Sequence, residues 1–194
     1  MSDRLQRYRS KRTGTSGEPA GTATRAGKKR GNRFVIQKHD ARRLHYDFRL
    51  EVDGTLRSWA VPKGLSTDPR EKRLAVEVED HPLDYIDFEG TIGEGNYGAG
   101  AVIVWDRGTY DNLDESRDMA SSIEAGHVKF RLEGEKLRGG WTLQRTHGGE
   151  KPQWLLIKRR DEDADARRNP ESTQPESVQS GRTIEEIAAG EDSS

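Results

Sequence analysis

The chain has 194 residues, of which 35% are charged and only 30% hydrophobic, and it contains no cysteine. That balance excludes a thick apolar core throughout and calls for a polar interior, unstructured stretches, or both, while the missing thiols exclude disulfides, zinc–thiolate sites and cysteine nucleophiles. The net charge of −1 says nothing by itself about a polyanionic partner. No apolar run reaches the length of a membrane span and no secretory leader opens the chain, so a soluble, cytoplasmic protein with no membrane partner is expected.

Residues 1–32 are rich in Gly, Ser, Thr, Lys and Arg, including Arg4, Arg7, Arg9, Lys11 and Arg12, and lack apolar periodicity. They are predicted to form a basic, flexible arm. Such an arm either adds salt-sensitive attraction to phosphate backbones or is simply solvated.

Residues 33–160 carry the predicted domain. From His45 to Val52 the pattern alternates with a period of two: Tyr46, Phe48, Leu50 and Val52 on one face, His45, Asp47, Arg49 and Glu51 on the other. Asp53-Gly54 marks a tight hairpin turn, and Leu56 to Val61 returns. Arg73 to His81 alternates again, with Leu74, Val76 and Val78 opposite Arg73, Glu77 and His81. Further strands are predicted at 101–105, 128–132, 141–146 and 154–158, with one short helix near 115–125. Many short strands and few helices predict a mainly β fold, a closed or nearly closed barrel with a polar groove and one or two short flanking helices. Because the charged faces carry the chemistry, the expected wall is apolar outside and charged inside. Residues 161–194 reverse the charge and read as an acidic linker and tail, with a capping-box start at Thr183 and Glu186 for a short helix over 183–189.

Chemistry concentrates in Gln37-Lys38-His39-Asp40-Ala41-Arg42-Arg43-Leu44-His45-Tyr46-Asp47-Phe48-Arg49. Alternation puts His45 and Asp47 on one face, and His39 can fold back across 40–44. Two imidazoles and a carboxylate form either a three-ligand site for Mn²⁺, Fe²⁺, Co²⁺ or Zn²⁺ or a hydrogen-bonded polar cluster. Arg49, Lys63, Arg73 and His81 add cations that would repel one another unless an anion sits among them, and a phosphate fits that demand. Ordinary surface ion pairs are the competing reading. Gly90 to Gly100 is glycine-rich but lacks the Gly-Lys-Ser/Thr ending of a nucleotide loop, so its glycines are assigned to a tight turn that can border the site.

Together with Ser58-Trp59-Ala60-Val61-Pro62-Lys63-Gly64, Val78-Glu79-Asp80-His81-Pro82-Leu83-Asp84-Tyr85 and Tyr97-Gly98-Ala99-Gly100, these motifs resemble the 3′-phosphoesterase domain of bacterial ATP-dependent DNA ligase D and its stand-alone relatives, in order from about residue 33 to 158. The resemblance implies a β-barrel with His39, His45 and Asp47 as ligands of Mn²⁺ or another divalent ion such as Co²⁺. Arg49, Lys63, Arg73, His81 and Tyr85 match the family's phosphate-contacting and catalytic groups. The implied activity is removal of a terminal 3′-ribonucleoside and then of the 3′-phosphate from DNA or RNA primer ends on a primer–template, with His81 donating to the phosphate or leaving group. Arg12 and Glu18 align with the family's substrate-binding arm, but Thr13 stands where the family has aspartate, and Asn96 replaces a frequent histidine. Phosphate removal is therefore the firmer expectation. ATP-dependent ligase, polymerase and Ku-like proteins are the expected partners, and nothing in the sequence demands more than a monomer. Two other classes compete with this reading. An iron oxygenase triad runs His-x-Asp before a distant histidine, the reverse of the order here. A non-catalytic end-binding module would keep the barrel and arm without turnover.

Overall fold

The computed structural model describes residues 4–12, 16–21 and 31–190. Its centre is two antiparallel meanders. The first comprises β1 (Arg33–Asp40), β2 (Leu44–Val52), β3 (Thr55–Val61) and β4 (Lys72–Pro82); the second, after the short β5 (Gly90–Ile92), comprises β6 (Gly100–Asn112), β7 (His127–Gly134), β8 (Arg138–His147) and β9 (Gln153–Lys158). Pairing of β4 with β9 and of β1 with β6 closes eight strands into a barrel, and β5 adds to β6 from outside. The sequence-predicted mainly β barrel is thus what forms. Among the described residues, closure leaves no long unpaired edge.

Local sequence sets the turns. Asp53 at φ 48° and Gly54 at φ 86° supply the two left-handed residues of a two-residue hairpin between Val52 and Thr55. The predicted internal helix is α2 (Met119–Ala125), capped by the Asp118 side chain on the Ser121 amide and stopped by Gly126.

The wall is the reverse of the sequence expectation: its apolar face points inward. Phe48 on β2 stacks on Phe130 of β7 at 5.4 Å, and Trp59 on β3 meets Trp154 of β9 at 5.7 Å. All four tryptophans are fully buried. Alternation separates two faces but does not say which one lines the lumen. Enclosing several large aromatic rings removes much more apolar area from water than enclosing charged groups, and that decides it.

The charged outer face of β1–β4 is nevertheless covered. A second apolar cluster of Tyr8, Val35, Leu56, Tyr85, Ile86 and Val104 sits there, built from α1 (Gln6–Ser10), the barrel wall and a 3₁₀ turn at Leu83–Asp87. Here the structure differs from the flexible arm expected over 1–32, for its described residues 4–12 and 16–21. Leu5 and Tyr8 are buried, and Lys11 and Arg12 bond Glu79 at 3.0 and 3.2 Å. A single buried ring with flanking ion pairs docks the segment, a signal without periodicity.

The residues after β9 also lie on the barrel. Trp105 Nε1 donates to the Gln174 carbonyl at 2.9 Å, and Lys136 Nζ donates to the carbonyls of Gln174 and Glu176. They continue through α3 (Pro170–Thr173) to α4 (Ile184–Ala188), whose Thr183–Glu186 capping box is formed and whose Ile184 joins the main core. Among the described residues no helix is long and apolar enough to cross a membrane.

Candidate functional site

The β1–β2 register sets His39 opposite His45 and Gln37 opposite Asp47, so the hairpin itself gathers the three proposed metal ligands. One ligand atom from each of His39, His45 and Asp47 lies within 4.8 Å of the others. His39 Nδ1 is 3.4 Å and His45 Nε2 is 3.2 Å from the Asp47 carboxylate. The remaining ring nitrogens face backbone carbonyls: His39 Nε2 bonds Gly98 O at 2.6 Å and His45 Nδ1 bonds Arg43 O at 3.0 Å. With an ion bound, each carbonyl could take the ring's N–H and free the nitrogen beside Asp47 as a ligand, the orientation that metal-bound imidazoles require. The donor set and its carbonyl supports fit one divalent cation, with positions left open, and the softness of the ligands admits several ions.

Burial would raise the Asp47 carboxyl, but the Arg49 guanidinium and the hydrogen bonds from His39 and His45 outweigh it and hold it well below the usual carboxylate range. The carboxylate therefore stays ionised inside a nearly closed wall.

Arg49 is 3% exposed and held on every side. Its Nε donates to Gln37 Oε1 at 2.7 Å, its Nη1 lies 3.1 Å from His81 Nδ1, its Nη2 is 3.6 Å from Asp47, and its plane sits 4.9 Å over the Tyr85 ring. Gln37 is itself fixed, donating to the Tyr85 and Phe88 carbonyls at 2.8 and 3.1 Å. Sequence reasoning gave Gln37 no role, although its place two residues before His39 on the same face was the available signal.

His81 lies between two guanidiniums, with Arg12 Nη2 3.3 Å from its Nε2. Burial, then Arg49, then Arg12 push its imidazole well below the ordinary value, so it rests neutral. Tyr8 and Tyr85 close over it edge-on at 5.1 and 4.7 Å. Burial lifts the Tyr85 phenol well above its usual value, and the phenol donates to Glu18 Oε2 at 2.6 Å. Glu18 also pairs with Arg12 at 3.3 Å, and its Oε1 is buried with no hydrogen-bond partner among the described residues. Thr13 lies outside the described residues.

These groups line one cavity of about 580 Å³, with Arg42, Glu79 and the 96–99 loop at its edge, a size that suits a nucleotide-scale ligand. The structure brings His39, His45, Asp47, Arg49, His81, Tyr85, Arg12 and Glu18 together there. It does not bring in Lys63 or Arg73. Lys63 is exposed, and Arg73 bonds the Lys63 carbonyl at 2.6 Å and Glu71 at 2.6 Å, away from the cavity. The cause is a register shift in β3–β4 pairing between Leu56 and Ser58, which places a bulge between Val78 and His81. Counting by twos from Arg73 to His81 assigns them one face, whereas a bulge reverses the alternation. Arg73 therefore pairs beside the core residue Leu156 while His81 turns outward beside Leu56. Glu79, which ties the arm down, and Tyr8 were not identified from sequence at all.

The cavity holds three arginines, Arg12, Arg42 and Arg49, against three carboxylates, Glu18, Asp47 and Glu79. Their formal charges cancel. A divalent cation at the triad would give it an excess of two, which a phosphate monoester dianion matches.

A family model described as the DNA ligase D 3′-phosphoesterase domain matches residues 37–145. The chain is 55% identical over 170 residues to the multifunctional non-homologous end joining protein LigD of Pseudomonas aeruginosa, an alignment covering 86% of this chain and 20% of that protein. It is 47% identical over 156 residues to a multifunctional non-homologous end joining DNA repair protein LigD of Mycobacterium tuberculosis, covering 80% and 20%. With the Mycolicibacterium smegmatis LigD it shares 42% identity over 167 residues, covering 84% and 21%. The chain thus spans about a fifth of the length of the curated relatives it matches.

Proposed function

The chain belongs to the DNA ligase D 3′-phosphoesterase domain family, and from that premise we propose that it is a metal-dependent 3′-end-healing hydrolase in DNA end joining. Its substrates are DNA or RNA 3′ ends on a primer–template, from which it removes a 3′-phosphate and a 3′-terminal ribonucleoside to leave a 3′-OH. Manganese is the proposed ion, with cobalt as a substitute. The relatives are named for non-homologous end joining, and an ATP-dependent ligase, a polymerase and Ku-like proteins are the proposed collaborators. The observation that carries this reading is the convergence of the His39–His45–Asp47 triad with Arg12, Arg49 and His81 in a cavity whose own charges cancel.

A divalent ion held by His39 Nδ1, His45 Nε2 and Asp47 would supply Lewis acidity to a phosphate oxygen. Arg49, clamped by Gln37, offers a preset donor to a second oxygen, and its rigidity concentrates the effect on the developing charge. Arg12 adds a donor from the arm. His81 enters neutral and so accepts a proton before it can give one; the negative charge of a phosphate between the two guanidiniums offsets their repulsion and makes that protonation favourable. Glu18 Oε1 is a buried acceptor suited to a 2′-hydroxyl, and this supports the ribonucleoside step. Tyr85 holds Glu18 in place. Lys63 lies in the loop between β3 and β4 and Arg73, on β4, braces that loop through the Lys63 carbonyl, so neither is assigned to phosphate contact.

The test is a manganese-dependent assay on two labelled primer–templates, one ending in a single ribonucleotide and one in a 3′-phosphate. Conversion of both to a 3′-OH is expected. Phosphate release alone would confine the function to a monoesterase, and no reaction with any divalent metal would favour an end-binding module.

A further inference from the structure

Tyr97 is the one aromatic among the large hydrophobic side chains left exposed in the described residues, at 52%. It also lines the cavity. The turn between β5 and β6 holds it there. The Asn96 amide donates to the Gly93 carbonyl at 3.2 Å, its side chain donates to the same carbonyl at 3.0 Å, and the Ala99 amide returns to Asn96.

The next residue, Gly98, has φ 76°, and a Cβ there would sit 3.3 Å from His39 Cε1. This is the residue whose carbonyl orients His39. Tyr97 is therefore one Cα step, about 3.8 Å, from a residue touching a proposed metal ligand. Cations lie over the ring: the Lys11 ammonium is 4.6 Å from the centroid and 3.4 Å from the phenol, and the Arg12 guanidinium is 5.7 Å from the centroid, while the residue remains 52% exposed.

A surface tyrosine covered only by lysine is common and by itself means little. This one is different in place. A half-exposed aromatic ring with cations over it, lining a nucleotide-scale cavity, combines the two elements by which proteins hold single-stranded ends: a stacking platform and a backbone grip. A nucleobase sits one sugar away from its own 3′-phosphate. With that phosphate at Arg49 and His81, the base has Tyr97 as an aromatic surface in the same cavity.

We propose that Tyr97 is the stacking platform for the base of the nucleotide bearing the scissile 3′-phosphate. This rests on the phosphoesterase reading and adds to it a contact with the base that is indifferent to base identity, because every base has a π-face. The site would thereby prefer a nucleotide end to a bare phosphomonoester.

The experiment compares two 3′-phosphorylated oligonucleotides, one with an ordinary terminal nucleotide and one whose terminal nucleotide is abasic. The ratio of their kcat/KM values is expected to be about tenfold in favour of the base-bearing end, the effect of one base–aromatic stack. Tyr97→Ala should reduce that ratio to about one through KM, whereas Tyr97→Trp and Tyr97→Phe should keep it. An unaltered ratio in Tyr97→Ala, or equal losses on both ends, would overturn the proposal, the second result marking a loop-positioning role. If the wild type turns over neither end, the phosphoesterase reading fails separately. Anisotropy titrations of the same oligonucleotides in chelator then decide for Tyr97: a base-dependent loss of binding in Tyr97→Ala supports the platform, and identical binding to both ends removes it.

Discussion

Arg49→Lys keeps a positive charge beside Asp47 but discards the planar fork. The lysine ammonium cannot hold Gln37 Oε1 at 2.7 Å and also reach the His81 edge, which the guanidinium does through separate nitrogens. Losing one hydrogen bond to a charged group costs about 1.5–3 kcal/mol, equivalent to a loss of roughly 10- to 150-fold in kcat/KM if the contact is made to the reacting phosphate. Global stability should fall by no more than about 2 kcal/mol, or about 4–8 °C in Tm at this chain length. Gln37→Leu should produce a similar kinetic loss, because Gln37 acts only by holding Arg49. Steady-state kinetics on a 3′-phosphorylated oligonucleotide, with Tm measured in parallel, should therefore give a double variant little worse than Arg49→Lys alone. Fully additive losses would refute the positioning role of Gln37. Undiminished turnover by Arg49→Lys would remove Arg49 from phosphate binding.

His45→Ala and Asp47→Ala should abolish measurable manganese binding by calorimetry as well as turnover, while circular dichroism still reports the barrel. Arg49→Ala should raise KM for the phosphate end more than Arg73→Ala does, because only Arg49 lines the cavity; the reverse order would restore Arg73 to the site. Tyr8→Ala empties a fully buried position under the arm and should cost about 3–5 kcal/mol locally. Limited proteolysis should then cut within residues 4–21 before the barrel melts. Acidification should loosen the same contact. Burial raises the Glu79 carboxyl, but the bonds from Lys11 and Arg12 outweigh it and hold it below its ordinary 4.5. Its contribution is complete above that value and lost as pH falls through the folded-state pKa. His81 works in the same direction, since its depressed value makes protonation below about 6.5 unfavourable in the folded state. Tm scans from pH 7 to pH 3 should fall less steeply in Glu79→Gln, and identical slopes would contradict the assignment.

The hairpin that carries the triad was legible because its information is local. Alternation set His45 and Asp47 on one face, Asp53-Gly54 fixed the next turn, and the ligand candidates lay within nine residues of one another. What stayed hidden depended on distant pairing. Which face of β2 lines the lumen is decided by Phe130, a strand far along the chain. The separation of Arg73 from His81 depends on one unpaired step in β3–β4, and a bulge leaves no mark in a count by twos. Tyr8 gave no periodic signal because a five-residue helix buries only that ring. The Gly98 carbonyl could not be anticipated either, since a backbone atom carries no residue identity.

The arm ties the cavity to parts of the barrel that are far apart in the chain. Arg12 and Glu18 meet Glu79 and Tyr85, each 67 positions further along the chain. The wall beneath them is sealed only when β6 reaches β1 and β9 reaches β4. The cavity therefore depends on pairings that span most of the described chain rather than on one local hairpin. The β1–β2 hairpin by itself would carry the triad without the pocket around it.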